Sequence, residues 1–106
     1  METPWQIDVL TAVHRLQAGA LLLDVREPDE LACCALAGAT HIPMRDIPGA
    51  LGQLPPDRDI LVLCHHGGRS LHVTRFLRAN GFARATNVAG GIDAWAEQVD
   101  PTLTRY

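Results

Sequence analysis

Apolar residues fall along this chain in two alternating rhythms. Short, nearly unbroken runs occur at residues 20–25 (A-L-L-L-D-V), at Ile60–Leu63 (I-L-V-L) and at Ala85–Val88. A brief apolar run bounded by turn residues reads as a strand covered on both faces. Trp5-Gln6-Ile7 and Thr40-His41-Ile42, the second stopped by Pro43, read as shorter extended pieces. Between these runs the apolar spacing lengthens to three and four residues, the period of a helix with one buried face. Asp8 is a good N-cap for a helix bearing Val9, Leu10, Val13 and Leu16 and closed by Gly19. Pro28, followed by Asp29 and Glu30, opens a short helix that runs through about Leu36 and is ended by Gly38. A third helix begins at Arg69 or Ser70 and places Val73, Phe76 and Leu77 on one face. Asn80-Gly81-Phe82 ends it as a Schellman turn, with Phe82 reaching back towards Leu77. Gly90-Gly91 turns into a fourth helix holding Ile92, Trp95 and Val99, and Pro101 stops it. Residues 45–54 make one or two loose helical turns around Pro48 and Gly49, and Leu54-Pro55-Pro56-Asp57 is the clearest turn.

Strands alternating with helices over short connections predict an α/β fold, a small parallel sheet with helices on both faces. Such sheets take ligands at the carboxyl ends of their strands. Cys64 occupies that position after the central run, and Asp24, Val25 and Arg26 occupy it after the second run. One site is therefore expected on that rim, with the loop from Cys64 to Ser70 as its floor. An ion pair among Asp24, Arg26 and Glu30 is expected to fix the turn from strand to helix.

Composition narrows the class without naming it. A chain of 106 residues fits one domain spanning residues 1–106, with a single core. Apolar content of 47% and charged content of 20% are those of a soluble globular protein and argue against disorder. The net charge of −3 offers no general attraction to nucleic acid or to anionic lipid. All nine basic residues are arginine, which excludes Schiff-base chemistry on a lysine. Met1-Glu2-Thr3-Pro4-Trp5 lacks the basic and apolar regions of an export signal, and no apolar run is long enough to span a bilayer. Three cysteines, an odd number, then suggest free thiols in a reducing cytoplasm. Cys33 and Cys34, placed mid-helix beside apolar residues, are expected to pack.

The chemistry gathers at Cys64-His65-His66-Gly67-Gly68-Arg69-Ser70. A strand, a tight glycine-paired loop and a helix N-terminus make an anion site, because unpaired backbone N–H groups point into the loop. A thiol at its entrance meets amide donors, a helix dipole and the charge of Arg69, all of which favour the thiolate, the nucleophilic form. Three consecutive candidate ligands, Cys64-His65-His66, are poorly spaced for one tetrahedral ion, so no metal is expected. Neither glycine pair has the spacing of a dinucleotide fingerprint, so no nucleotide or flavin cofactor is expected.

Four segments together resemble a single-domain rhodanese-like protein. They are Asp24-Val25-Arg26-Glu27-Pro28-Asp29-Glu30, Gly38-Ala39-Thr40-His41-Ile42-Pro43, Cys64 through Ser70, and Asn87-Val88-Ala89-Gly90-Gly91-Ile92-Asp93-Ala94-Trp95. Cys34-Ala35-Leu36-Ala37-Gly38-Ala39 departs from the Gly-His that often precedes Ile-x-Gly-Ala in that family, a difference of local packing. The resemblance implies the rhodanese fold and a catalytic Cys64 that cycles between thiolate and persulfide, as in thiosulfate sulfurtransferases. The donor would be thiosulfate or a similar small anion, and the acceptor cyanide, a small thiol or a protein thiol. His65, His66, Gly67, Gly68, Arg69 and Ser70 would then be substrate-binding, through loop N–H groups, imidazole charge and the Arg69 fork, which would either orient the donor or brace the loop. Ser70 is equally a candidate helix N-cap. Related phosphatase-type loops place five residues between cysteine and arginine; four stand here, which favours sulfur transfer over phosphatase or arsenate reductase chemistry. A binding or regulatory module without turnover is the other alternative.

Overall fold

Four residues at the middle of the molecule, Ile60–Leu63, are all buried, and the other strands are laid out around them. The computed structural model describes residues 4–106; Met1-Glu2-Thr3, on which part of the export-signal reading falls, lie outside the described residues. In chain order the elements are β1 (Gln6–Ile7), α1 (Val9–Gln17), β2 (Leu21–Asp24), α2 (Pro28–Cys33) and β3 (Thr40–His41). Two 3₁₀ turns follow (Met44–Gly49 and Leu51–Gln53), then β4 (Ile60–Leu63), α3 (Gly68–Ala79), β5 (Ala85–Val88) and α4 (Gly91–Gln98). The sheet order is β1-β5-β4-β2-β3, and every pairing is parallel. Register sets Asp24 opposite Leu63 and Val62 opposite Asn87, so the strands finish together on one rim.

Side chains alternate across β4 and divide the core in two. Ile60 and Val62 pack with Leu23, Val25, Val73, Leu77 and Phe82, under α3 and the 3₁₀ turns. Leu61 and Leu63 pack with Leu22, Val88, Val9, Ile92 and Trp95, under α1 and α4. Continuous apolar runs, rather than alternating ones, follow from this double coverage. The Schellman ending is present: the Phe82 amide donates to the Leu77 carbonyl at 3.0 Å, with Gly81 at φ +96°.

One burial assignment and two helix boundaries differ from those the sequence suggests. Leu10 does not join the buried face of α1; it is 52% exposed, while Val9 and Ala12 carry the burial. The second helix stops at Cys33, not near Leu36, and Cys34 is fully extended. None of its residues is buried, so no apolar face holds it to length. Its last carbonyls are instead taken by Arg26, which donates from Nη1 to Glu30 at 3.3 Å and from Nη2 to Cys34 at 3.0 Å. Cys33 is therefore exposed rather than packed, and only Cys34 leans on the core. The third helix starts at Gly68, one turn position before Arg69.

The turn after β2 is fixed by the expected ion pair. Asp24 and Arg26 are both fully buried. Arg26 donates to Asp24 from Nη2 at 2.7 Å and from Nε to both carboxylate oxygens at 3.0 and 3.1 Å. Desolvation works most strongly on the Arg26 charge, but the hydrogen bonds and charge of Asp24 together with those of Tyr106 outweigh it and leave its pKa raised. Glu30 does not join this pair; it turns towards Arg69.

The far end of the rim is closed by α4. Its first amides donate to the carbonyls that follow β4, Ile92 to Cys64 at 2.9 Å and Asp93 to His65 at 3.1 Å. Gly91, at φ +60°, makes that approach possible, since a Cβ there would lie 2.4 Å from both carbonyl oxygens.

Two stability predictions follow from these contacts. Asp24→Asn strands a buried guanidinium and should lower unfolding free energy by about 3–5 kcal/mol in urea denaturation. Gly91→Ala should cost about 2 kcal/mol or more, from overpacking and left-handed backbone. It should also slow alkylation of Cys64 by moving the loop; a variant with wild-type midpoint and wild-type reactivity would contradict the close approach.

Candidate active site: the Cys64 loop

β4 delivers Cys64 to the rim with 1% of its surface exposed. A sulfur held away from water must find its hydrogen bonds inside the protein. The Gly67 amide lies 3.1 Å from Sγ, the Ser70 amide 3.4 Å and the Ser70 hydroxyl 3.2 Å. These donors converge because Gly67, the N-cap of α3, sits at φ +110°, a left-handed conformation suited to glycine. The first turn of α3 therefore aims unpaired amides and the positive end of its dipole at the sulfur. Ser70 is not the helix N-cap; it is the third helical residue, fully buried, with its amide and its hydroxyl both within hydrogen-bond distance of Sγ.

Asn87 completes this arrangement, and the sequence reading gave it no role. It lies on β5, buried, with its Oδ1 2.5 Å from the Ser70 hydroxyl and its Nδ2 donating to the Gly67 carbonyl at 3.2 Å. The amide thus holds both residues that hold the sulfur. Its signal in the sequence is a carboxamide inside an otherwise buried strand.

The other expected site residues divide. Gly68 has open space where a Cβ would stand, so no contact requires a glycine there. His65 is half-buried and its ring is sandwiched, stacked on His66 and on Tyr106 with centroids 3.8 Å away in each case. Its Nε2 is buried and has no hydrogen-bond partner among the described residues. His66 is exposed and stands 4.0 Å from Asp93. Arg69 is committed to Glu30 through a two-pronged contact of 2.6 and 2.9 Å. That contact raises the Arg69 pKa, and it holds the Glu30 carboxyl down at about 2 against the cost of burial. The fixed positive charge anticipated beside Cys64 is thus offset by a fixed negative one.

His65, His66 and Asp93 bring their ligand-type atoms within 4.8 Å of one another. Asp93 comes from α4 and supplies the member that three consecutive residues could not. Its carboxylate, however, already accepts two hydrogen bonds from Arg105, at 3.1 and 3.0 Å, which lower its pKa. A cation would have to displace that guanidinium, so the cluster reads as an ion-pair network.

The Glu30 pairing carries a pH signature. Its folded pKa of about 2 lies below the ordinary 4.5, so its contribution is complete above about pH 4.5 and lost as pH falls towards 2. Wild-type stability should fall across that window, and Glu30→Gln should flatten the fall. Urea midpoints at pH 6 and pH 3 would check this; equal slopes in the two proteins would remove the pairing from acid stability.

Similarity to known proteins points to one family. Residues 9–98 match the family described as the rhodanese-like domain. The chain is 40% identical over 83 residues to a sulfurtransferase of Allochromatium vinosum, covering 78% of each protein. It is 40% identical over 91 residues to the rhodanese-like/PpiC domain-containing protein 12 of Arabidopsis thaliana, covering 82% of this chain but only 30% of that longer protein. Among solved structures, the human single-domain sulfurtransferase superposes with a TM-score of 0.79 at 27% identity, covering 89% of this chain and 96% of that one. The strand order, the loop after β4 and these matches have one reading: the chain has the rhodanese fold and belongs to the rhodanese-like domain family.

Proposed function

We propose that this protein is a sulfurtransferase that carries sulfane sulfur as a persulfide on Cys64. The observation that carries the proposal is the convergence of the Gly67 amide, the Ser70 amide and the Ser70 hydroxyl on one sulfur. Donors so aimed stabilise negative charge on that atom, which is what a nucleophilic thiolate needs before the first displacement and a leaving thiolate needs in the second. Sulfur transfer in general is supported by the relative of Allochromatium vinosum and by the human single-domain protein, both named sulfurtransferases.

The chemistry is two displacements. The Cys64 thiolate attacks the outer sulfur of thiosulfate; a new S–S bond forms, the donor's S–S bond breaks, and sulfite leaves with the electron pair. A cyanide or thiolate acceptor then attacks the outer sulfur of the persulfide, and the bond electrons return to Cys64. No net oxidant or reductant is consumed. The loop amides hold the charge on Cys64 before the first step and after the second, while His66, exposed at the rim, adds positive potential for an anionic donor when protonated. Arg69, gripped by Glu30, braces the loop in this arrangement, and orienting a donor would require the pair to open. The tight cradle around a single sulfur favours this reading over phosphate or arsenate chemistry. Among the described residues no helix is long and apolar enough to cross a membrane, and free Cys33, Cys34 and Cys64 are compatible with a reducing cytoplasm.

Intact mass after thiosulfate treatment tests the proposal. The wild type should gain one sulfur atom and lose it to cyanide with release of thiocyanate, whereas Cys64→Ser should gain none and form thiocyanate only at background. Turnover of equal size in both proteins, or a wild type that never takes up sulfur, would leave a binding module as the better reading.

A further inference from the structure

Residues 101–106 do not leave the molecule after α4 but turn back to the Cys64 loop, where Tyr106 meets His65. Leu103 leans on the core beneath α1 and α4. Arg105 pairs with Asp93 in the first turn of α4. Tyr106 then lays its ring on His65, with centroids 3.8 Å apart and planes within 9°. Its hydroxyl donates to Glu30 at 2.7 Å and accepts from Arg26 Nη1 at 3.0 Å. Burial pushes the Tyr106 hydroxyl up to about 12, so it remains a donor at any ordinary pH.

These partners mark out one place. His65 directly follows Cys64, and Glu30 grips Arg69, the residue before Ser70. The tyrosine is therefore tied to both ends of the loop that holds the sulfur, and Cys64 in that loop is only 1% exposed. Yet Tyr106 itself is 39% exposed, and none of the hydrogen bonds to Sγ comes from it. A large ring left half in water contributes little burial and no donor to the sulfur. What it does supply is bulk against the residue that follows Cys64.

We propose that Tyr106 is a specificity-determining residue: its ring, fixed between His65 and Glu30, narrows the approach to Cys64, so that compact sulfur donors and acceptors are favoured over bulky thiols. This rests on Cys64 being the attacking sulfur. The stack and the two hydrogen bonds lie near the surface, where water competes for the same partners, so the cover opens and discrimination is graded rather than absolute. A substituent that removes the ring should widen the range of reagents, and one that keeps it should not.

The test uses the full chain and two thiolate-directed reagents of different size. Methyl methanethiosulfonate is the compact one and dithiobis(nitrobenzoic acid) the bulky aromatic one, with modification at Cys64 followed by peptide mass to exclude Cys33 and Cys34. Tyr106→Ala should raise the bulky-to-compact rate ratio about fivefold or more over wild type. Tyr106→Phe, which keeps the ring, should stay within about twofold of wild type. An unchanged ratio in Tyr106→Ala, or equal acceleration of both reagents, overturns the proposal. Because both reagents report access to the thiol and not turnover, that outcome would leave the sulfur-transfer proposal standing. A wild type that takes up no sulfur would sink the latter without altering the ratio.

Discussion

Two sets of backbone groups would be unsatisfied at the rim if they did not meet. Cys64 and His65 leave the sheet with carbonyls that β4 no longer pairs, and α4 begins with amides that no preceding turn can accept. Ile92 and Asp93 close both accounts in one contact. The contact exists only because residue 91 has no side chain, since a Cβ would overlap both carbonyl oxygens. Its consequence reaches the sulfur. With the Cys64 and His65 carbonyls bound outward to α4, the following peptide groups can turn their N–H bonds inward, and Gly67 and Ser70 do so. The site is thus a product of helix docking as much as of the loop that forms its wall.

Charge around the sulfur is arranged in pairs rather than left free. Arg26 is neutralised by Asp24 in the core, and its remaining donors hold the carbonyls that end α2 and the hydroxyl of Tyr106. Arg69 is neutralised by Glu30, and Tyr106 touches that carboxylate as well. The two ion pairs are joined through one phenol, so the turn after β2, the first turn of α3 and residues 101–106 form a continuous network. A site balanced in this way draws its positive character from the dipole of α3 and from amide N–H groups. Those do not depend on any side chain being protonated.

Much of this could be read from local pattern. The strands were legible because double coverage demands uninterrupted apolar runs, and Ile60–Leu63 has no other use for four in a row. The Schellman turn at Gly81-Phe82 was legible because its parts are adjacent in sequence, and so was the Asp24–Arg26 pair, two residues apart. What escaped depends on distance along the chain. Arg69 finds Glu30 across 39 positions, and Tyr106 finds Glu30 across 76. No periodicity encodes either. The early stop of α2 escaped for a related reason: Arg26 captures its carbonyls from outside the helix, where propensity does not look. Leu10 is one of four apolar residues on α1, and spacing alone does not mark it as the one left in water while Val9 and Ala12 are buried.

Ser70 is where fold and chemistry meet most closely. Its hydroxyl has one proton and two neighbours that want it, the Asn87 carbonyl oxygen at 2.5 Å and the sulfur at 3.2 Å. With a neutral thiol the proton serves Asn87, and the S–H can donate to Ser70 in turn. With charge on the sulfur the same proton rotates towards it, a charge-assisted bond stronger than the one it leaves. Asn87 stays anchored meanwhile through Gly67, while its Oδ1 must draw back from the freed hydroxyl oxygen, because two acceptor oxygens repel at hydrogen-bond distance without a proton between them. A buried carboxamide on β5 therefore serves the nucleophile without touching it: it holds the hydroxyl in place for whichever charge state the sulfur adopts.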